Sequence, residues 1–211
     1  MSEHISIAAE GLGNAEAYKL ISGAVIPRPV AWVASTNEDG GVNLAPFSSF
    51  IFLTYDPPKI AISIGPGTVR LKDTLRNIER TGNFTVNSVS VDQLGPMAES
   101  SRIYPAGESE AVHLGIALAP SARIEAPRIA ESDVSLECVL ERVVPMEDRD
   151  AHRLVIGRVV NFQIAPRVFQ GDRIDPAMYR PVGRIGGPLY FIPGEVRRVQ
   201  ATPDPRLSEK R

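Results

Sequence analysis

Residues able to do chemistry are few and scattered along this chain of 211 residues. The three histidines, His4, His113 and His152, stand far apart without HExxH-type spacing, and none lies beside a serine nucleophile elbow. Metal-dependent and triad hydrolysis are therefore not indicated. Cys138 is the sole cysteine, which excludes an intramolecular disulfide and a multi-cysteine zinc site. Gly11-Leu-Gly13 lacks the third glycine and the preceding strand of a dinucleotide fingerprint, and the segment from Gly65 to Lys72 lacks the spacing of a phosphate loop. One cluster keeps its chemical interest: Lys72, Asp73 and Thr74 sit at the mouth of a helix expected to begin near Leu75. Unpaired N–H groups and the helix dipole favour an anion there, with Arg70 as a second cation. The competing reading is structural, with Asp73 or Thr74 capping the helix and Lys72 solvated.

The elements that must position these residues are short. Asn14 can cap a helix over roughly 15–21, to which Tyr18, Leu20 and Ile21 bring part of an apolar face before Ser22-Gly23 ends it. Residues 30–36 are β-rich, 37–41 carry turn chemistry and 42–45 resume extended chain, which predicts a hairpin. Residues 50–54 and 59–64 continue the series on either side of Asp56-Pro57-Pro58. Leu71, Leu75 and Ile78 then recur at helical spacing until Gly82, and a strand over 84–89 follows. Asp92 opens a short helical piece to about Ser100, and 102–115 reads as a long surface loop.

Further on, Val134, Leu136, Cys138 and Leu140 share one parity and Ser135, Glu137 and Glu141 the other, as in a half-buried strand with Cys138 in the core. In the next strand Leu154, Ile156, Val160, Phe162 and Ile164 share a parity that Arg158 interrupts. Seven or eight strands against two or three helices make the fold mainly β. An antiparallel, Greek-key-like barrel, closed or nearly so, hides that many edges best.

Composition narrows the function classes. With 43% hydrophobic and 23% charged residues and a net charge of −2, neither disorder nor a nucleic-acid-binding surface is indicated. Apolar runs are far too short for a membrane-spanning helix, and the first ten residues lack the pattern of a secretory signal. The expectation is a soluble, cytoplasmic protein with no nucleic-acid or membrane partner.

The ordered series Ile26-Pro-Arg-Pro-Val-Ala-Trp-Val33, Asn43-Leu-Ala-Pro-Phe-Ser-Ser-Phe50, Asp56-Pro-Pro58, Lys72-Asp-Thr74, Arg76-Asn-Ile78 and Phe84-Thr-Val-Asn87 resembles the flavin reductase-like proteins. These are FMN-binding split barrels that include flavoredoxin and the NAD(P)H:flavin oxidoreductases. The resemblance runs from about Tyr18 to Tyr190 and includes Gly186-Gly-Pro-Leu-Tyr190. It implies a domain over 18–195, with 1–17 as an N-terminal extension holding the start of the first helix and 196–211 as a polar tail. It also implies a homodimer with FMN in a groove between subunits, and hydride transfer from NADH or NADPH to flavin and on to free flavin or another acceptor. A carrier that takes electrons from a protein partner, or a barrel that binds flavin without turnover, is the alternative.

Flavin chemistry assigns the residues within that frame. The phosphate falls to Lys72 and Thr74, with Arg70, while Asp73 caps the helix. The small residues Ala45, Pro46, Ser48 and Ser49 let the chain approach the ring edge, where reduction places negative charge. Arg28, held stiff between Pro27 and Pro29 and followed by Val30, can place backbone or guanidinium near the ring. Asn43 either bonds ribityl hydroxyls or ends its strand. Tyr104 and His113 could cover the pyridine-nucleotide side, whereas Trp32 is expected in the core. No protein acid, base or metal is required, because hydride transfer depends on positioning.

Overall fold

The computed structural model describes residues 3–66, 72–105, 108–146 and 152–197. Short apolar runs broken by proline and glycine build antiparallel strands throughout. After α1 (Asn14–Ala24) come β1 (Arg28–Pro29), β2 (Ala31–Thr36), β3 (Val42–Phe47), β4 (Phe50–Tyr55) and β5 (Pro58–Ile64). Then follow α2 (Asp73–Thr81), β6 (Asn83–Asn87), α3 (Leu94–Glu99), α4 (Glu110–His113) and the short strands β7 (Leu118–Ala119) and β8 (Arg128–Ile129). The long strands β9 (Val134–Pro145) and β10 (Arg153–Ile164) precede the small ribbon β11 (Phe169–Gln170) and β12 (Arg173–Ile174), and β13 (Gly183–Gly186) and β14 (Leu189–Phe191) are the last strands.

Seven strands form one antiparallel sheet in the order β3-β2-β6-β9-β10-β5-β4. The chain joins the two end strands, β3 and β4, through the Ser48-Ser49 corner, where Ser63 N–H of β5 donates to Ser49 C=O at 2.9 Å and extends the β4–β5 ladder by one rung. No hydrogen-bonded pairing joins β3 to β4 among the described residues, so the rolled sheet stays open between its two edge strands. Inside it, Ala31, Val33, Phe47, Ile60, Ile62, Phe84, Val86, Cys138 and Val155 pack with Leu75 and Ile78 of α2, which plugs the barrel. A second core on the outer face of β2 joins Trp32, Ala34, Leu44, Met97 of α3, Ala111 of α4 and Ile129. Trp32 lies in that core and donates from Nε1 to Ser100 Oγ at 3.0 Å.

Several local readings of the pattern change in three dimensions. Helix α1 takes Gly13, not Asn14, at its cap position, and it runs through Ser22-Gly23 to Ala24. Its last carbonyls are satisfied by Arg28, which donates from Nη1 to the C=O groups of Ser22 and Val25, so no glycine cap is needed. Helix α2 begins at Asp73 with Lys72 at the cap position and no side-chain cap bond, and Asp73 pairs with Arg76 instead. Gly82 ends this helix in the left-handed region at φ 70. The segment 102–115 is not only a surface loop, because Glu110 and Ala111 of α4 are buried.

Strand β10 presents the parity opposite to the expected one: Val155, Gly157 and Val159 face the core, while Phe162 is 51% exposed. Two register shifts against β9 accompany the change. Gly157 is required at the contact, since a Cβ there would stand 2.7 Å from Cζ of the fully buried Phe84.

The polar face of β9 is covered as well. Ser135 and Glu137 are fully buried. Glu137 accepts from the N–H groups of Ala122 at 2.9 Å and Arg123 at 2.8 Å, and from Asn161 Nδ2 and Gln163 Nε2, each at 3.0 Å. Burial pushes this carboxyl up, but the four donors together outweigh burial and hold it below the ordinary carboxylate range. Its contribution to stability is therefore present above the ordinary pKa of 4.5 and is lost as pH falls through the lower folded value. Glu137→Gln, which cannot accept from all four donors, should lower stability at pH 7 by about 1–3 kcal/mol. Denaturant midpoints should show the variant losing less than the parent on acidification below pH 4.5.

Candidate functional site

The sequence-selected residues gather along one strand. At the start of β3, Asn43 is buried and donates from Nδ2 to Thr74 Oγ1 at 2.9 Å, tying the strand to the first turn of α2. Asn77, one turn on, donates to Asn37 Oδ1 at 2.7 Å and Ser35 Oγ at 3.2 Å, which fixes the same helix against the β2–β3 hairpin. At the end of β3, the Nζ of Lys72 lies 5.3 Å from the centroid of the Phe47 ring. Desolvation there lowers the Lys72 pKa from its usual value. Ala45 and Pro46 are half-buried between these points, paired with Val33 and Trp32 of β2.

Beyond Phe47 the strip turns the corner. Ser48 Oγ accepts from Arg28 Nε at 3.4 Å, and Ser49 is exposed. Arg28 thereby joins three elements: the Ser48 corner, β1 and the C-terminus of α1. Pro29 is exposed, while Val30 turns into the outer core. The structure thus brings together Arg28, Asn43, Ala45, Pro46, Ser48, Lys72 and Thr74, but it divides them by accessibility. Lys72 and Ser49 are open to a ligand, whereas Asn43 and Thr74 spend their side chains on each other. Arg70 lies outside the described residues.

Arg28, Pro29 and Val30 also wall a cavity of about 310 Å³ between the barrel end and the C-terminal segment. Phe50, Val86, Val134, Leu136, Val182 and Phe191 make it mainly apolar. Tyr179, its phenol raised by burial despite a hydrogen bond with Ser88, is among its few polar groups.

Tyr104 and His113 meet edge to face, with centroids 5.1 Å apart and planes at 68°, and His113 is exposed. They sit on the outside of the α4 segment, whose inner side carries residues the sequence pattern did not reveal. Ser109 Oγ donates to Val42 C=O at 2.7 Å, and Glu110 Oε2 accepts from Leu44 N–H at 2.9 Å. Burial raises the Glu110 carboxyl above its usual range against the pull of that N–H, and the negative charge of Asp73 adds to the rise. The buried Ala111 beside a carboxylate was the available hint, but nothing local says which strand they cover. Among the described residues, no group of three or more acidic, histidine or cysteine side chains could hold a metal. None of their helices is long and apolar enough to cross a membrane.

A rolled antiparallel sheet with α2 plugging its interior is a split-barrel architecture. The Flavin reductase like domain model matches residues 22–200, and the chain belongs to that family of flavin-binding oxidoreductases. An uncharacterized protein of Halalkalibacterium halodurans is 40% identical over 192 residues, covering 88% of this chain and 91% of its own length. The crystal structure of nitrilotriacetate monooxygenase component B from Bacillus cereus superimposes with a TM-score of 0.90 at 33% identity, over 94% of this chain and 100% of that one. That of Pseudomonas fluorescens 2-nitrobenzoate 2-nitroreductase NbaA gives 0.86 at 32% identity, over 94% and 96%.

The ties of Arg28 predict a local effect. Arg28→Ala removes the donors that hold the end of α1, and amide exchange over 14–24 should quicken by roughly tenfold while the barrel strands keep their protection. Unchanged exchange in α1 would show that the helix is held by something else.

Proposed function

We propose that this chain is an FMN-dependent NAD(P)H:flavin oxidoreductase that works as a homodimer. The observation that carries the reading is Lys72: a partly desolvated cation at the N-terminus of α2, which no side-chain cap blocks, next to a strip of small residues leading to Arg28. Lys72 supplies the charge for a phosphate and the first turn of α2 supplies backbone dipoles. Thr74 serves by its place in that turn, held by Asn43, and Asp73 keeps its carboxylate engaged with Arg76. Ser48 and Ser49, with Arg28, stand where donors are needed for the ribityl chain and the ring edge. A bound flavin supplies the redox chemistry, taking a hydride from the reduced nucleotide and passing two electrons to free flavin or another acceptor. Tyr104 and His113 cover the side from which the nucleotide approaches. The redox character of the two solved relatives at 33% and 32% identity supports the reading.

The dimer is supported by the edge strand β4, where Ile51, Phe52 and Tyr55 are 58%, 72% and 90% exposed on both of its faces. The apolar side of α1 is equally bare, with Tyr18 and Ile21 at 63% and 62%. A second copy is the occupant whose two-fold pairing covers both at once.

The test is to titrate the purified protein with FMN and follow oxidation of NADH and NADPH. The reading expects binding with a shifted flavin band near 450 nm and turnover with at least one nucleotide. Binding without turnover would identify an electron carrier, and no binding would overturn the proposal. Lys72→Ala should weaken FMN binding by roughly tenfold to a hundredfold through the lost charge-assisted bond. An unchanged dissociation constant would remove the phosphate from this place.

A further inference from the structure

A strand at the end of a sheet leaves a row of outward N–H and C=O groups that something must satisfy. In β3 the groups on either side of Asn43 are satisfied by side chains rather than by another strand. Ser109 Oγ donates to Val42 C=O at 2.7 Å, and Glu110 Oε2 accepts from Leu44 N–H at 2.9 Å. Both partners come from the start of α4, which also buries Ala111 against Trp32 and Leu44 in the outer core. The two bonds imitate one rung of a missing strand. They bracket the residue whose amide reaches across to Thr74 in the first turn of α2.

We infer that Ser109 and Glu110 are positioning residues for the phosphate end of the flavin site, acting through Val42, Leu44 and Asn43 on the first turn of α2. This rests on the reading that the flavin phosphate binds at Lys72. The backbone of β3 at Asn43 has no strand beyond it to hold its height and tilt. With the α4 bonds broken, Asn43 Nδ2 no longer meets Thr74 Oγ1 at fixed length, and the N–H groups of the α2 start lose their common aim. A misdirected donor set weakens binding of a tetrahedral anion, while the ring-head contacts at Ser48 and Ser49 belong to the β3–β4 corner and not to the first turn of α2. Carrying the clamp on a buried carboxylate is costly: burial first, and then the charge of Asp73, raises the Glu110 carboxyl. Only acceptor oxygen is needed for Leu44 N–H, so an amide can take over this task.

The test compares dissociation constants for FMN and for riboflavin, which has the same ring system and no phosphate, in the full-length protein. Glu110→Ala should weaken FMN by about tenfold, the scale of one lost buried hydrogen bond with its partner stranded, and riboflavin by less than about twofold. Glu110→Gln should restore FMN binding to within about twofold of the parent, since its Oε1 still accepts from Leu44. Ser109→Ala, the milder change should Glu110→Ala not fold, should weaken FMN selectively by about threefold. Equal losses for FMN and riboflavin, or failure of Glu110→Gln to restore binding, would overturn the inference. Lys72→Ala separates the two levels: if it too leaves FMN binding unchanged, the phosphate reading itself fails, and if it alone is phosphate-selective, only the clamp fails.

Discussion

Strand β2 is buried on both faces, and much of the molecule follows from that constraint. Ala31 and Val33 point into the barrel, while Trp32 and Ala34 point into a second core beneath α3 and α4. A strand clad on two sides cannot shift by one residue without turning Trp32 into the barrel, so its register is strongly specified. β3 inherits that register over Ala31 to Thr36, and with it the place of Asn43 and of the Ser48-Ser49 corner. The strip of small residues from Ala45 to Ser49 is therefore held in place by a strand whose side chains from Ala31 to Ala34 are all committed to the two cores. The outer core also accounts for α3 and α4 lying together beside β2 and β3.

Polar groups inside this frame are arranged by a common rule: a buried charge is met by oriented dipoles before it is met by another charge. Glu137 takes four neutral donors and fastens the 122–123 segment over β9. Glu110 takes one backbone N–H and covers an edge. Arg28 spends its guanidinium on carbonyls at the end of α1 and on Ser48. Lys72 is the exception, a cation lying over a ring with its charge unmet by a carboxylate within the described site, and that is the arrangement an incoming anion would complete.

Legibility in the sequence tracked the range of the interactions. The hairpin of β2 and β3 and the end of α2 at Gly82 are set by neighbours a few residues apart, so they could be read directly. The resemblance carried the family because its residues keep their order along the chain. What could not be read were matters settled across long separations. Glu137 looked solvent-facing because its alternation with Leu136 and Cys138 says only that it lies on the other face, and the segment covering that face arrives from fourteen to fifteen residues earlier. The apolar residues of β10 occupy both faces, so pattern alone does not set its parity, and Phe84 pressing on Gly157 decides it.

The sequence by itself determined the short antiparallel strands, the helix behind Lys72 and the kinship with flavin-binding proteins, since all three rest on local propensity and on motifs preserved in order. Only the tertiary structure decided which of the selected side chains stay open to a ligand and which are consumed in holding others. Asn43 and Thr74 look like ligand-binding residues when read singly, yet folding sets them 2.9 Å apart and buries both. Ser109 and Glu110 look like loop residues, yet folding sets them on the edge of β3. A side chain's role depends on the partner it meets, and here partners 31 and 66 residues apart are brought together by packing that no local pattern encodes.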